Sequence, residues 1–239
     1  MGVVGAALGA CSGNNAPGSG QPDTAAVATS PAADSATGAG VAAPASGAVR
    51  VLFIGTSLTA GLGLDPEDAY LALVKAKADS AGLAVDVVNA GLSGETSAGA
   101  LRRADWLLRE RADVVVIETG ANDGLRGLDI DSTRANIEGL VEKVRTRHPS
   151  ARIVIAQMEA PPNLGEAYTR RFRDMYREVA EERGLVLMSF PLARVAGVAG
   201  LNQSDGIHPN EEGERIVAEN VWRVVEPVLR EVDRSRPGA

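Results

Sequence analysis

The sequence is poor in the residues that several chemistries require. It has one cysteine in 239 residues, which excludes an intramolecular disulfide and any thiolate zinc framework. Its two histidines leave little for a His-rich metal site. Aromatic residues are 3% of the chain, too few for the stacking platforms that hold single-stranded nucleic acid. Positive charge is short as well. Lys plus Arg number 24 against 31 Asp plus Glu, a net charge of −7, and nucleic-acid partners are disfavoured because a phosphate backbone needs a basic footprint. No apolar run reaches the roughly 18–20 residues of a membrane-spanning helix.

What is present falls into unequal parts. Residues 1–11, MGVVGAALGAC, are uncharged and end at Cys11. Of the 36 residues 12–47, 29 are Ala, Gly, Ser, Pro or Thr. Such a stretch cannot bury enough apolar surface to offset its ordering entropy and reads as a disordered tether. All 24 basic residues and 29 of the acids lie in 48–239, the segment expected to fold as one domain.

Within it, short β-branched runs alternate with amphipathic stretches. The runs are VRVLFIG (49–55), LAVDVVNAG (83–91), DVVVIETG (113–120), ARIVIAQ (151–157) and GLVLMSF (184–190). They are apolar on both faces, as strands of a covered parallel sheet are. Helical patterns occupy about 67–81, 97–111, 131–147, 165–183 and 211–232. Asp131 or Ser132 is the expected cap of the third, and Gly184 the expected stop of the fourth. Five rounds of alternation predict a doubly wound α/β layer, with functional groups beyond the carboxyl ends of the strands.

The residues in those places are chemically suggestive. GTSLTAGLG (55–63) follows the first strand and sets Ser57 in a Gly-flanked turn. NAGLSGETS (89–97) follows the second, and TGANDGLRG (119–127) follows the third with Asn122 and Asp123. SDGIHPNEEG (204–213) precedes the last helix and holds Asp205 and His208 three residues apart. A serine hydroxyl needs an adjacent base, imidazole supplies one, and a carboxylate fixes its tautomer. Backbone N–H groups and an Asn amide can stabilise an oxyanion. Taken singly, each piece has an ordinary reading: turn chemistry for Ser57, an Asx turn for Asn122–Asp123, helix capping for Asp205–His208. Their joint placement after successive strands favours the catalytic one.

These four segments resemble the blocks of the SGNH, or GDSL-type, hydrolase superfamily, and within it the bacterial acyl-thioesterase, lysophospholipase and arylesterase group. GTSLTAG is similar to the nucleophile block, VVNAGLSGETS to the glycine block, IETGANDGLRG to the Gly-x-Asn-Asp block and DGIHPN to the Asp-x-x-His block. The resemblance covers most of 48–239. It implies a three-layer α/β/α sandwich around a five-stranded, mostly parallel, flavodoxin-like sheet. It implies a serine esterase acting on carboxylic esters or thioesters, with Ser57 as nucleophile, His208 as base and Asp205 as orienting acid. The oxyanion hole would comprise the N–H groups of Ser57 and Gly94 and the side-chain amide of Asn122. No metal or organic cofactor is implied. The chain departs from the family pattern at Thr56, where the family name has Asp, and at Ala121, where a second Gly is frequent. Neither position carries one of these roles.

Other features have more modest readings. The loop after the fourth strand, with Pro161, Pro162 and Asn163, is a candidate substrate wall or a plain connection. Asp123 is expected to orient its own loop, and His148 to be a solvated residue at a helix end. LGAC (8–11) resembles a bacterial lipobox, so Cys11 is a candidate lipidation site and residues 1–11 would be a truncated lipoprotein-type signal. The expected partners are therefore a small-molecule or lipid acyl ester and, through Cys11, a membrane outside the cytoplasm. Two rival functions share the features: an O-acetyl esterase of carbohydrate or cell wall, and a tethered binding module without turnover.

Overall fold

The computed structural model describes residues 47–236. Cys11, the lipobox-like segment and all but the last residue of the 12–47 tether lie outside the described residues. Five strands form one sheet: β1 (Val49–Gly55), β2 (Val85–Gly91), β3 (Val114–Ile117), β4 (Arg152–Ala156) and β5 (Val186–Met188). Their order is β2-β1-β3-β4-β5, and every neighbouring pair is parallel. The sheet is thus wholly rather than mostly parallel. Each crossover runs through a helix, which is the connection parallel strands require.

The helices are α1 (Ser57–Ala60), α2 (Tyr70–Ser80), α3 (Ser97–Leu107), α4 (Ala121–Leu125), α5 (Ile130–Arg147), α6 (Glu166–Arg183) and α7 (Glu211–Arg234). Alternation along the central strands divides the interior into two cores. Val51, Phe53, Val114, Val116 and Val154 share a core with residues of α2 and α7, such as Val74, Val221 and Val225. Leu52, Ile54, Val115, Ile117 and Ile153 share the other with Ala100 and Ala104 of α3 and Leu140, Val141 and Val144 of α5. Helix α6 packs against β4, β5 and α5. Burying each Val, Leu, Ile or Phe side chain among these contributes about 1.5–3 kcal/mol, before the entropy of ordering the chain is subtracted.

Several boundaries follow from local chemistry. Asp129, not Asp131 or Ser132, caps α5: its carboxylate accepts from the Ser132 N–H at 2.8 Å. Asp131 and Ser132 lie inside the first turn, where an acid still complements the helix dipole. Gly184 ends α6 in the left-handed conformation, as expected. His148, at the C-terminus of α5, is half-buried, and its Nε2 is enclosed without a hydrogen-bond partner. It is not the solvated residue that its position suggested.

The strand order reverses at β1, whose successors β2 and β3 lie on opposite sides of it. Such a switch point opens a crevice at the carboxyl ends of the strands. The segments after β1, β2 and β3 are the three that carry Ser57, Gly94 and Asn122.

Candidate active site

The nucleophile turn forms because β1 runs directly into a single helical turn. Ser57 is the first residue of α1, so its N–H belongs to the set that a helix leaves without an internal acceptor. Gly91, at the end of β2, lets this turn sit tightly against the sheet. A Cβ on Gly91 would lie 2.3 Å from the Ala60 nitrogen, so no side chain fits there.

His208 arrives from the loop before α7. That loop is pinned on both sides. The Gln203 N–H donates to the His208 carbonyl at 2.7 Å, and its side-chain amide donates to the Leu62 carbonyl at 2.7 Å and the Pro209 carbonyl at 2.9 Å. Asn210 then caps α7 by accepting from the Gly213 N–H at 3.0 Å. The result is a continuous chain of side chains. Ser57 Oγ is 2.8 Å from His208 Nε2, and His208 Nδ1 is 2.6 Å from Asp205 Oδ2. The second Asp205 oxygen accepts from the Ile207 and His208 backbone N–H groups at 2.9 and 3.0 Å. The hydrogen bond from the His208 side chain, aided by these two N–H groups, holds the Asp205 pKa down to about 2. A carboxylate so ionised fixes the Nδ1–H tautomer and leaves Nε2 free to accept the Ser57 proton.

Gly94 and Asn122 lie on the same cavity as Ser57 and His208. Gly94 has φ +77°, a left-handed conformation suited to glycine. Its N–H has no hydrogen-bond partner among the described residues. The Asn122 amide donates to the Glu95 carbonyl at 3.0 Å, which orients it and leaves its second N–H available. Sequence reasoning missed two supports of this arrangement. Arg103 of α3 grips the buried Glu95 carboxylate through Nε and Nη2 at 2.7–2.9 Å and donates to the Ala90 carbonyl at 2.6 Å, fixing the loop that presents Gly94. The Asp123 side chain ties its loop to neighbouring helices rather than bonding within the loop. It accepts from the Ser97 N–H at 2.8 Å and the Ser97 hydroxyl at 2.6 Å, which caps α3 in place of Thr96. The only signal of these pairings was the charged residues themselves, eight and twenty-six positions from their partners.

The cavity has a volume of about 220 Å³. Its apolar wall comprises Leu58, Leu62, Leu125, Met158, Leu192 and Ile207, of which Leu62, Leu125 and Ile207 are exposed. Pro161, Pro162 and Asn163 are not on this wall. Pro162 and Asn163 begin a 3-10 turn (Pro162–Leu164), and the fourth-strand loop reaches the cavity through Met158 instead. No group of three or more metal-ligating side chains is present among the described residues, and the arrangement sets a serine hydroxyl within hydrogen-bond reach of an imidazole.

Comparison with known proteins agrees with this geometry. Residues 53–216 match the GDSL-like lipase/acylhydrolase family. The chain is 38% identical over 183 residues to the esterase TesA of Pseudomonas aeruginosa, covering 76% of this chain and 90% of that protein. It is 31% identical over 186 residues to the thioesterase 1/protease 1/lysophospholipase L1 of Escherichia coli K12, covering 77% and 87%. The crystal structure of the psychrotrophic esterase EstA from Pseudoalteromonas superposes with a TM-score of 0.72 at 33% identity, covering 76% of this chain and 99% of that one. Sequence blocks, sheet order and the similarity to these hydrolases agree: the chain belongs to the GDSL-like lipase/acylhydrolase family and is a carboxylic ester hydrolase of the SGNH type.

Proposed function

We propose that the protein hydrolyses carboxylic esters or thioesters of apolar acyl chains through a Ser57–His208–Asp205 triad and an acyl-enzyme. The observation that carries this reading is the unbroken Ser57–His208–Asp205 hydrogen-bond chain, at 2.8 and 2.6 Å, opening onto an apolar-walled cavity. Ser57 Oγ attacks the acyl carbon as its proton passes to His208 Nε2. The tetrahedral oxyanion takes hydrogen bonds from the N–H groups of Ser57 and Gly94 and from the Asn122 amide. His208 then protonates the departing alcohol or thiol. Water, activated by the same imidazole, releases the acid and restores Ser57.

The cavity supports the choice of acyl group. At about 220 Å³ it is smaller than the roughly 300–1,000 Å³ pockets that enclose a drug-sized ligand. It suits the carbons next to the ester, while a longer chain would continue over exposed Leu62, Leu125 and Ile207. An acetyl group would leave that surface unused. The test is the initial rate on p-nitrophenyl esters from acetyl to palmitoyl, with Ser57→Ala as control. A medium-chain or longer optimum is expected, with a Ser57→Ala loss on the order of 10⁶-fold. An acetyl-only optimum would shift the assignment to an O-acetyl esterase, and a rate that survives Ser57→Ala would overturn the mechanism.

We also propose that Cys11 carries acyl chains that hold the enzyme at a membrane outside the cytoplasm, the 36-residue tether giving it reach. Detergent phase partitioning tests this. The full-length chain should enter the detergent phase and Cys11→Ala should not, and equal partitioning of both would remove the anchor.

A further inference from the structure

A second carboxylate lies beneath the nucleophile turn, outside the triad. Glu118 follows β3 and is 2% exposed. Its Oε2 accepts from the Thr56 N–H and from the Thr59 hydroxyl, each at 2.9 Å, and its Oε1 accepts from the Thr56 hydroxyl at 2.9 Å. Thr59 Oγ1 lies 2.8 Å from the Tyr70 hydroxyl, so Thr59 can accept from Tyr70 while it donates to Glu118. The three donors come from residues one before and two after Ser57.

The chemistry of this cluster selects a carboxylate. The Thr56 N–H is a fixed donor and cannot reverse its role. A carboxylate offers acceptors on both oxygens, whereas an amide of the same shape keeps one acceptor and sets its NH2 against the Thr56 hydroxyl, which must then turn from donor to acceptor. The described partners of Glu118 are all uncharged. Burial pushes its pKa up, and the hydrogen bonds from Thr56 and Thr59 pull it back. A carboxyl group enclosed without a cation is costly to hold. Its hydrogen bonds clamp Thr56 and Thr59 on either side of Ser57. Thr56 provides the hydroxyl at the position where the family name has Asp.

We propose that Glu118 is a positioning residue for the nucleophile. Through Thr56 and Thr59 it fixes the turn so that Ser57 Oγ meets His208 Nε2 and the Ser57 N–H faces the oxyanion. The inference rests on Ser57 being the nucleophile. A purely structural Glu118 would affect stability, while a positioning residue also affects turnover at unchanged substrate affinity.

The experiment compares wild type, Glu118→Gln, Thr56→Val, Ser57→Ala and Ile137→Val as full-length chains. Ile137 is a buried residue of α5 outside the site, and its truncation controls for loss of stability alone. The readouts are melting temperature, kcat and KM on p-nitrophenyl butyrate, and the rate of covalent labelling by an organophosphonate. Misplacing a nucleophile by a fraction of an ångström is expected to lower kcat and labelling in Glu118→Gln by roughly 10–100-fold with KM nearly constant. Thr56→Val should lower kcat by roughly 3–10-fold, and Ile137→Val should lower the melting temperature without changing kcat. Folded Glu118→Gln with kcat within about twofold of wild type would overturn the proposal. If Glu118→Gln does not fold, Thr56→Val decides, and an unchanged kcat there overturns it equally. Failure of the nucleophile reading is separately visible, as activity or labelling that persists in Ser57→Ala.

Discussion

Glu214 makes stability depend on pH in a direction opposite to most paired acids. It lies in the first turn of α7, is 2% exposed, and accepts the Tyr70 N–H at 2.8 Å. That N–H opens α2, whose own N-cap, Ala69, has no side chain to satisfy it. Burial raises the Glu214 pKa from 4.5 to about 7, with the Tyr70 N–H opposing the rise. Between those values the folded protein keeps a proton that the unfolded chain has released. The contribution of Glu214 is therefore full below 4.5 and is lost as pH rises through about 7. The gap corresponds to on the order of 3 kcal/mol. Glu214→Gln removes the titration and retains a carbonyl oxygen for Tyr70. Urea unfolding of both proteins at about pH 5 and about pH 8.5 isolates the effect, because every other titrating group is shared. Near pH 5 the two should agree within about 1 kcal/mol, and near pH 8.5 the variant should be more stable by about 2–3 kcal/mol. A variant that is destabilised equally at both pH values would refute the reasoning, because Glu214 would then be acting through a pH-independent contact.

Two further outcomes follow from the site. On the proposed mechanism the Asn122 amide is one of three oxyanion donors, so Asn122→Ala should lower kcat on p-nitrophenyl esters by about 10²–10³ while the protein stays folded; a loss below about threefold would remove it from the hole. Gly91→Ala forces a Cβ to within 2.3 Å of the Ala60 nitrogen, and the backbone of α1 must move to admit it. Thermal unfolding should drop by on the order of 5–10 °C, with a loss of turnover alongside; a melting temperature within about 1 °C of wild type would show that α1 has room to move.

The sheet was legible because its signals are local. Each of the five β-branched runs contains its strand, and the loops after the first three hold the residues that meet around Ser57. Strand order was not legible, since burial on both faces gives every strand the same texture. The helix α4 (Ala121–Leu125) was hidden in a segment whose Gly, Asn and Asp read as a loop. The Ser57–His208–Asp205 juxtaposition could be anticipated because the sequence has only two histidines and the three residues sit in distinct blocks ordered along the chain. Its supports could not. Glu214 looked like one more acid in an acidic first turn, and only the packing of α7 on α2 buries it. Nothing in the sequence pattern pairs Arg103 with Glu95 eight positions before it. Glu118 falls in the third apolar run, near enough to Asn122 to reach the site, but nothing in the sequence names Thr56 and Thr59 as its partners. In each case the missing information was a partner on a distant element, which composition and periodicity do not encode.

The two ends of the described domain meet. The Arg236 guanidinium donates to the Gly47 carbonyl at 2.7 Å, beside the residue where β1 begins. Ser57 follows the other end of that seven-residue strand, about 20 Å away along the sheet. An enzyme with this geometry can be held from either terminus, or from both, with its catalytic end turned toward the medium. A short Gly/Ser bridge from 236 to 47 would close the domain into a ring without touching the triad, and new termini could then be opened in any exposed loop away from it. The fold therefore lends itself to circular permutation and to attachment on a solid support, with catalysis left at the free end.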